Sequence, residues 1–415
     1  MTQTEKQKMM LTAPVEGLIC RMAVPTIISM LITALYNMAD TYFVGKLGSN
    51  AATGAVGVAL PLMAIIQATG FFFGHGSGNS ISRHLGAGDV EDAEKLAACG
   101  FAGAIGTGLI ICVLGQLLIE PLARLLGSTA TILPYAKEYM RYILFAAPYM
   151  TAALVLNNQL RLQGNANFAM IGITSGAVLN VALDPLFIFT FNMGVAGAAA
   201  ATALSQLVSF VILLWALKRA GCVPLRFRYV RCMPSVMGQI FGGGLPSLVR
   251  QGLGSLSVMM LNRAAGPYGD AAIAAMSIVG RISQFAGSAV IGFGQGFQPV
   301  CGFNYGAGKY KRVIRAYTFC VKVSTVVLVA IAAVGFAFAE PITQAIAGSS
   351  ELAGDIAAVA FRAQLVVFPL MSWVIMCNMM LQNIGMTARA TIVAMSRQGI
   401  AFIPAVFILP LITGK

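Results

Sequence analysis

The stretch VLNVALDPLFIF, residues 178–189, is apolar enough to lie inside a lipid bilayer, yet Asn180 and Asp184 interrupt it. A charge at membrane depth is costly, and such residues usually face a cavity, a partner or a transported ion. The stretch therefore predicts a membrane helix that carries a functional polar site.

The composition of the whole chain agrees with a membrane protein. Of its 415 residues, 58% are hydrophobic and 10% are charged, and the mean hydropathy is +0.81. Soluble domains carry about a quarter of charged residues. This chain has too little polar surface to cover itself in water, so we expect an all-α polytopic membrane protein.

The net charge of +13 is concentrated in short loops, which is a topology signal. Positive charge at alternate loops follows the positive-inside pattern, so we expect these loops and the N-terminus on the cytoplasmic side of the plasma (inner) membrane, and no nucleic-acid partner. The basic residues concerned are Lys218, Arg219, Arg226, Arg228 and Arg231 in one loop and Lys309, Lys311, Arg312 and Arg315 in another.

The chain offers no motif for a cofactor or a catalytic centre. Its eight cysteines lack metal or redox spacing, and its two histidines cannot form a metal site unaided. The GAGD and GAGK segments at 86–89 and 306–309 lack the strand and spacing of a phosphate loop. No HExxH motif or nucleophile elbow is present. We therefore expect no cofactor and no enzymatic activity.

Apolar runs of about 20 residues predict eleven membrane-spanning helices. The predicted spans are 18–44, 52–78, 94–119, 131–158, 166–191, 194–217, 235–262, 271–298, 312–338, 353–383 and 387–413.

An internal repeat organises these spans into two halves. A shift of about 221 residues superimposes Pro148 on Pro369, Asn157 on Asn378 and Gly164 on Gly385. We therefore expect two homologous six-helix lobes in a parallel repeat: an N-lobe (1–217), a cytoplasmic basic linker (218–234) and a C-lobe (235–415). The second half reaches Lys415 before its sixth helix, so the twelfth helix is expected to be missing from this chain.

Only Asp40 and Asp184 are carboxylates within apolar spans and without a basic residue nearby in sequence. At about 1.5 Å per helical residue, these two and the polar residues Tyr139, Asn180 and Thr202 lie roughly 8–17 Å below the outer surface. The matching depth on four helices predicts one ion site, in which two nearby carboxylates titrate as a coupled pair or share a Na⁺. Leu261 and Ala405 occupy the equivalent second-half positions, so the site is predicted in one lobe only.

Pro185 follows Asp184 directly and cannot donate the helical hydrogen bond to the carbonyl of Val181. We therefore expect a hinge at Pro185, next to the titratable carboxylate.

At these residues the chain resembles the multidrug and toxic compound extrusion (MATE) family, in its bacterial multidrug-efflux branch, over essentially its whole length. The resemblance rests on LYNMADTYFVGKLG (35–48), LNVALDP (179–185), GLPSLVRQGLGSLSVMMLN (244–262) and GFGQGFQPVCGFNYGAGKYKRV (292–313).

The resemblance implies two lobes around a V-shaped cavity and export of lipophilic, often cationic compounds in exchange for H⁺ or Na⁺. It implies a cation site formed by Asp40, Asn180, Asp184 and Thr202, with Tyr139 as a neighbour. Some members of the family carry a glutamate eight residues after the proline of the seventh helix, where this chain has Gly254.

Several further polar residues are candidates for the substrate cavity, with helix-to-helix hydrogen bonding as the alternative for most of them. We expect the substrates to be small lipophilic or cationic molecules, the surroundings to be membrane lipid, and the protein to be a monomer. The cavity candidates are Tyr36, Asn37, Asn157, Arg250, Gln251 and Asn378.

Three alternative functions remain open at this level. A flippase for lipid-linked saccharides would need a cavity rich in arginine to hold pyrophosphate, and Arg250 is the one candidate recognised. A membrane-embedded enzyme would need paired catalytic groups, which the sequence does not supply. A channel would give steady conductance in a planar bilayer.

Overall fold

The computed structural model describes residues 3–47, 50–265, 268–347 and 351–413, so the short pieces of the predicted lobes between and beyond these ranges lie outside it. All regular structure in the described residues is helical. The fifteen α-helices are α1 Gln3–Thr12, α2 Val15–Gly45, α3 Asn50–Ala87, α4 Val90–Leu117, α5 Ile119–Leu125, α6 Leu133–Leu162, α7 Ala166–Pro185, α8 Gly194–Arg219, α9 Met233–Ala265, α10 Asp270–Gly306, α11 Tyr310–Ala337, α12 Ala339–Ala347, α13 Glu351–Asn383, α14 Thr387–Met395 and α15 Phe402–Thr413.

Nine helices in the described part of the chain are long and apolar enough to cross a membrane: α2, α3, α4, α6, α7 with its extension, α8, α10, α11 and α13. The two other predicted spans correspond to α9 and to the segment from α14 to α15. Helix α9 is long but less apolar, because glycine and polar residues interrupt it. The last predicted span is divided by a π-helical segment, Ser396–Ile400.

The helices form two lobes with the predicted repeat. The N-lobe is built around α6, which packs against α3, α4 and α8, while α7 packs against α2 and α8. In the C-lobe, α13 packs against α10 and α11, and α14 packs against α9. Between the lobes α2 packs against α10, and α3 packs against α9. Because α9 is the repeat equivalent of α2 and α10 that of α3, these two contacts are equivalent, as expected of halves related by a two-fold axis.

The end of the molecule that carries the linker and the loop between α10 and α11 is called the basic face here. Helix α1 fixes both segments at one end, because Lys6 Nζ donates to the carbonyl of Ala220 and Lys309 Nζ donates to that of Leu11. The linker contains a short 3₁₀ helix, Phe227–Cys232.

Close approaches between the lobes lie in the half nearest the basic face. A Cβ added to Gly292 would stand 2.7 Å from the Cα of Ile27, and one added to Gly243 would stand 2.9 Å from the carbonyl oxygen of Gly76. Small residues permit such backbone contact between membrane helices. The largest buried apolar cluster joins both lobes in this half.

The same helix faces are exposed farther from the basic face. Phe285, two turns before Gly292 on one side of α10, is 41% exposed, and Val258, three turns beyond Ser247 on α9, is 59% exposed. The lobes therefore separate toward the far end, and the space between them is called the cleft.

Candidate functional site: a buried oxygen cluster beside the cleft

Asn180 joins α7 to α8 through its side-chain amide. Its Nδ2 donates to Asp184 Oδ1 at 3.3 Å, one turn along α7, and to Thr202 Oγ1 on α8, also at 3.3 Å. All three side chains are buried. The structure thus brings three of the predicted cation-site residues into one hydrogen-bonded group.

Three oxygen atoms of this region are buried and have no hydrogen-bond partner among the described residues: Asp40 Oδ1, Asn180 Oδ1 and Asp184 Oδ2. The two carboxylates are close enough to interact electrostatically across the α2–α7 packing. A buried acceptor without a donor carries a desolvation cost of about 1–3 kcal/mol. A proton on a carboxylate or a bound cation would remove that cost.

The donor set fits a hard cation. Carboxylate, amide and hydroxyl oxygens are the ligands that hard metal ions take in proteins, and these residues supply all three kinds. Asp40, Asn180, Asp184 and Thr202 would hold Na⁺, and either carboxylate would take H⁺.

Two tyrosines border the carboxylates. Tyr36 lies one turn before Asp40 on α2, and both Tyr36 and Tyr139 interact electrostatically with Asp40 and Asp184. Tyr139 on α6 is buried, and its hydroxyl donates to Met63 Sδ at 3.8 Å. Tyr36, considered as a cavity residue, therefore lies beside the ion-site group.

The helix that carries Asp184 changes geometry directly after it. Helix α7 ends at Pro185, and residues Leu186–Thr190 continue as a π-helix. A proline removes one helical hydrogen bond and a π-helical turn shifts the register of the next ones, so this position has weaker backbone restraint than a regular α-helix. Bending at Pro185 stays a prediction.

Three of the cavity candidates lie at the cleft. Asn37 is exposed. It lies three turns beyond Thr26, whose hydroxyl donates to the carbonyl of Gly292, so it is on the side of α2 that faces the C-lobe. Arg250 and Gln251 follow Ser247 by about one turn of α9, and both are partly exposed.

Asn157 and Asn378 make the same contact in the two halves. Asn157 Nδ2 donates to the carbonyl of Ala169 at 3.0 Å, and Asn378 Nδ2 donates to that of Ala390 at 2.6 Å. Each bond joins the C-terminal part of one long helix to the following helix, α6 to α7 and α13 to α14. These amides hold helices together in this structure.

A buried polar network connects the lobes on the basic side of the cleft. Arg161, at the end of α6, is fully buried, and its guanidinium donates to Gln298 Oε1 at 2.6 Å, to Asn158 Oδ1 at 2.6 Å and to the carbonyl of Gln295 at 3.0 Å. The inter-lobe network, as it is called below, consists of His75, Asn158, Arg161, Ser247, Gln298 and Gln382.

The sequence pattern did not predict this network. His75 Nδ1 lies 3.0 Å from Ser247 Oγ, and Ser247 in turn accepts from Gln382 Nε2 at 2.6 Å. The available signal was an ionisable residue inside an apolar run, which applies to His75. It failed for Arg161 because the predicted span ended at residue 158.

A second set of potential ligands, His84, Asp89 and Asp92, lies near the basic face. Its members already have protein partners: His84 Nδ1 contacts Asp89 Oδ2 at 3.1 Å, Asp89 caps α4 by accepting from the backbone of Asp92, and Asp92 pairs with Lys95 at 2.8 Å. These contacts explain why the three residues lie together: they cap the start of α4.

Comparison with known proteins matches the repeat and the fold. Residues 25–186 and 246–407 each match the MatE family model, so the second copy follows the first by 221 residues, which confirms the two homologous halves. The multidrug export protein MepA of Staphylococcus aureus (strain MRSA252) is 29% identical over 406 residues, covering 97% of this chain and 89% of MepA.

Two solved structures have the same fold over nearly the whole chain. The outward-facing conformation of a multidrug resistance MATE family transporter of the MOP superfamily aligns with a TM-score of 0.90 and 29% identity, covering 96% of this chain and 89% of that one. A MOP superfamily transporter from Pyrococcus furiosus, described as having a binding pocket of reverse polarity, aligns with a TM-score of 0.88 and 27% identity, covering 97% and 90%. With both halves matched and the architecture shared, this chain belongs to the MatE family of membrane transporters.

Proposed function

We propose that the protein is a cation-coupled antiporter, which exports lipophilic and cationic compounds across the plasma membrane by alternating access. The single observation that carries the proposal is the group of three buried, unpartnered oxygens on Asp40, Asn180 and Asp184 beside a cleft between two lobes. The name of MepA as a multidrug export protein supports the substrate class.

The orientation follows from the basic loops. In a plasma membrane the face rich in lysine and arginine lies in the cytoplasm. The cleft then opens to the outside and the inter-lobe contacts close the cytoplasmic side, an arrangement that agrees with the similarity to an outward-facing transporter.

The proposed cycle uses one ion site to select between two arrangements of the lobes. A proton or Na⁺ enters from outside and satisfies the unpartnered oxygens of Asp40 and Asp184. This changes the packing of α7 near Pro185, where the backbone is least restrained, and so the surface that the N-lobe offers to substrate. Export results when ion and substrate favour different conformations, since each must bind the two states unequally.

The test is dye efflux from energised vesicles by Asp40→Asn and Asp184→Asn variants. Each change removes a carboxylate and keeps the size of the side chain, and we expect each to abolish export driven by an imposed gradient. Asp355→Asn is the matched control, because Asp355 lies near the first turn of α13 and contacts Gln344. Full export by Asp40→Asn would refute the proposed coupling site.

Separate Na⁺ and pH gradients identify the coupling ion. If a pH gradient alone drives wild-type export, the ion is H⁺; if a Na⁺ gradient at equal pH on both sides drives it, the ion is Na⁺. Steady conductance with neither gradient coupled to dye movement would instead favour a channel.

A further inference from the structure

The C-lobe wall of the cleft carries arginines that lack acidic partners. They are Arg250 on α9, Arg281 on α10 and Arg397 in the π-helical segment after α14. Each lies within a predicted span, more than two turns from either end of its long helix or broken helix.

Arg250 and Arg397 lie near each other and near the junction of the lobes. Arg250 is two turns beyond Gly243 on one side of α9, and Gly243 contacts Gly76 of the N-lobe. Arg250 is close enough to Arg397 and to Arg161 for electrostatic repulsion among them.

Arg281 faces the N-lobe across the open part of the cleft. Arg281 precedes Gly292 by eleven residues, or three turns of α10. Residues three turns apart lie on nearly the same side of a helix. Gly292 contacts the backbone of Ile27 on α2, so this side of α10 is turned toward the N-lobe. Arg281 is exposed, as is Phe285 on the same side.

No carboxylate among the described residues forms an ion pair with these three arginines, and Arg250 and Arg397 have no hydrogen-bond partner there. The sequence explains why. After residue 235 the chain has four acidic residues, Asp270, Glu340, Glu351 and Asp355, and each lies within the first five residues of α10, α12 or α13. None of them is at the depth of the arginines.

Arg161 adds a fourth positive charge below the others. It is 1% exposed, its partners are amides, a carbonyl and His75, and its Nε has no partner in the described part of the chain. A cleft with walls of low dielectric and charge of one sign concentrates ligands of the opposite sign. The guanidinium group also matches the planar oxyanion geometry of carboxylate and phosphate better than an ammonium group does.

We propose that the C-lobe wall of the cleft, through Arg250, Arg281 and Arg397, binds the oxyanion group of an amphipathic substrate, a carboxylate or a phosphate. The inference rests on the proposed function in one respect: it assumes that the substrate passes through the cleft. The inference extends the substrate class from lipophilic cations to molecules that carry a negative group as well.

The experiment compares two dyes that differ in that group alone: a rhodamine with a free carboxylate and the methyl ester of the same rhodamine. Transport is measured in proteoliposomes for the wild type, for Arg250→Gln/Arg281→Gln/Arg397→Gln, and for the corresponding triple lysine variant. Arg389→Gln is the control, since Arg389 is an exposed arginine of α14 whose guanidinium contacts Met386 Sδ. The melting temperature of each purified variant reports on folding.

We expect the glutamine variant to transport the carboxylate dye at least tenfold more slowly and the ester within twofold of the wild type, with partial recovery in the lysine variant. An equal loss for both dyes would overturn the proposal, as would no loss for either dye combined with phosphatidate movement that does not depend on the arginines. If the glutamine variant melts too low for assay, the three single variants are measured in its place by the ratio of the two dye rates.

A third arm distinguishes the source of the oxyanion. A fluorescent phosphatidate in the same vesicles, with dithionite quenching as the readout, reports lipid translocation. Arginine-dependent movement of phosphatidate with unchanged dye transport supports the oxyanion site and assigns it to a lipid headgroup. Asp40→Asn is run in parallel: if it leaves transport intact while the arginine effect persists, the coupling proposal fails and the oxyanion site stands.

Discussion

At the residue scale, Asn180 connects the two helices of the proposed ion site by using both hydrogens of one amide. One is directed to Asp184 on its own helix and the other to Thr202 on the neighbouring helix. This leaves Asn180 Oδ1 as an unpartnered acceptor directed by two fixed bonds. The orientation of that acceptor therefore depends on the hydroxyl of Thr202.

We predict that Thr202→Val weakens ion binding while Thr202→Ser preserves it. Valine keeps the shape of threonine but removes the hydroxyl that fixes Asn180. A loss of about 1.4 kcal/mol, within the usual contribution of a hydrogen bond, raises the ion concentration for half-maximal export about tenfold. Export is measured against ion concentration, and equal curves for the valine and serine variants would contradict the role of the hydroxyl.

A second prediction concerns the equivalent asparagines. Asn157→Ala and Asn378→Ala each remove an amide bond to the next helix, and we expect each to lower stability by about 0.6–1.7 kcal/mol. The two effects should be similar because the contacts are equivalent. Denaturation of the purified variants measures this, and a dye profile altered by either variant at unchanged stability would instead indicate contact with substrate.

The sequence could predict the structural role of some single residues but not of others. Asp40 and Asp184 stand out because a carboxylate in an apolar run has few explanations, and depth alone brought Asn180 and Thr202 into the same group. The partners of Arg161 could not be predicted, because His75 and Gln298 are 86 and 137 residues away in the sequence and on other helices. Arg281 could have been found, since it interrupts an apolar span and shares a helix side with Gly292.

At the scale of elements, the last helix shows what a proline does inside a span. Helix α14 ends at Met395, the backbone is π-helical over Ser396–Ile400, and α15 follows with Pro404 in its first turn. Pro404 cannot donate to the carbonyl of Ile400, so the hydrogen-bond register changes just before it. In the first half the π-helical segment follows Pro185, and it lies farther from the basic face than its counterpart in the second half. The two halves therefore do not have their π-helical segments at equivalent positions of the repeat.

Besides α1, two short helices in the described residues, α5 and α12, were not predicted. Helix α5 begins one residue before Glu120-Pro121, and α12 begins one residue before Glu340-Pro341. Proline near the first helical position and an acidic residue beside it favour a helix start. Their seven and nine residues are too short for the apolar-run criterion that identified the spans.

We predict that Gly292→Ala destabilises the contact of α2 with α10. A Cβ at this position would stand 2.7 Å from Ile27 Cα, and overpacking typically costs about 1–3 kcal/mol. Gly287→Ala in the same helix is the matched control, since nothing lies within 4 Å of its added Cβ. The melting temperature should fall for Gly292→Ala alone, since alanine otherwise favours a helix more than glycine does. A melting temperature of Gly292→Ala that equals or exceeds that of Gly287→Ala would contradict the steric role of the contact.

At the scale of the whole molecule, α1 bridges the two lobes across the basic face. On the N-lobe side Lys6 is buried and donates to the carbonyls of Ala220 and Gly221. On the C-lobe side Asn304 Nδ2 donates to the carbonyl of Met10 at 3.1 Å, and Arg312 donates to that of Ala13 at 2.6 Å. Burial lowers the pKa of the Lys6 amino group.

In the proposed alternating-access cycle the basic ends of the lobes separate, and this requires α1, which is bound to both lobes, to release one of them. Contacts made in one arrangement stabilise that arrangement by their own free energy, so we expect α1 to favour the closed basic face. The sequence predicted the two lobes because the repeat is visible as matching residues at a constant spacing. The contacts of α1 join residues more than 200 positions apart, and no sequence pattern indicates them.

We therefore predict that Lys6→Ala shifts the protein toward the arrangement with an open basic face, whereas Lys8→Ala does not. Lys8 is exposed on the same helix, so the control removes an equal charge without the buried contact. Fluorescent labels at cysteines replacing Ala87 and Lys311, in a variant without native cysteines, report the distance between the lobes by single-molecule energy transfer. Loss of about 1.4 kcal/mol of contact should raise the ratio of open to closed molecules about tenfold. Equal distributions for the two variants would mean that α1 does not bias the lobes.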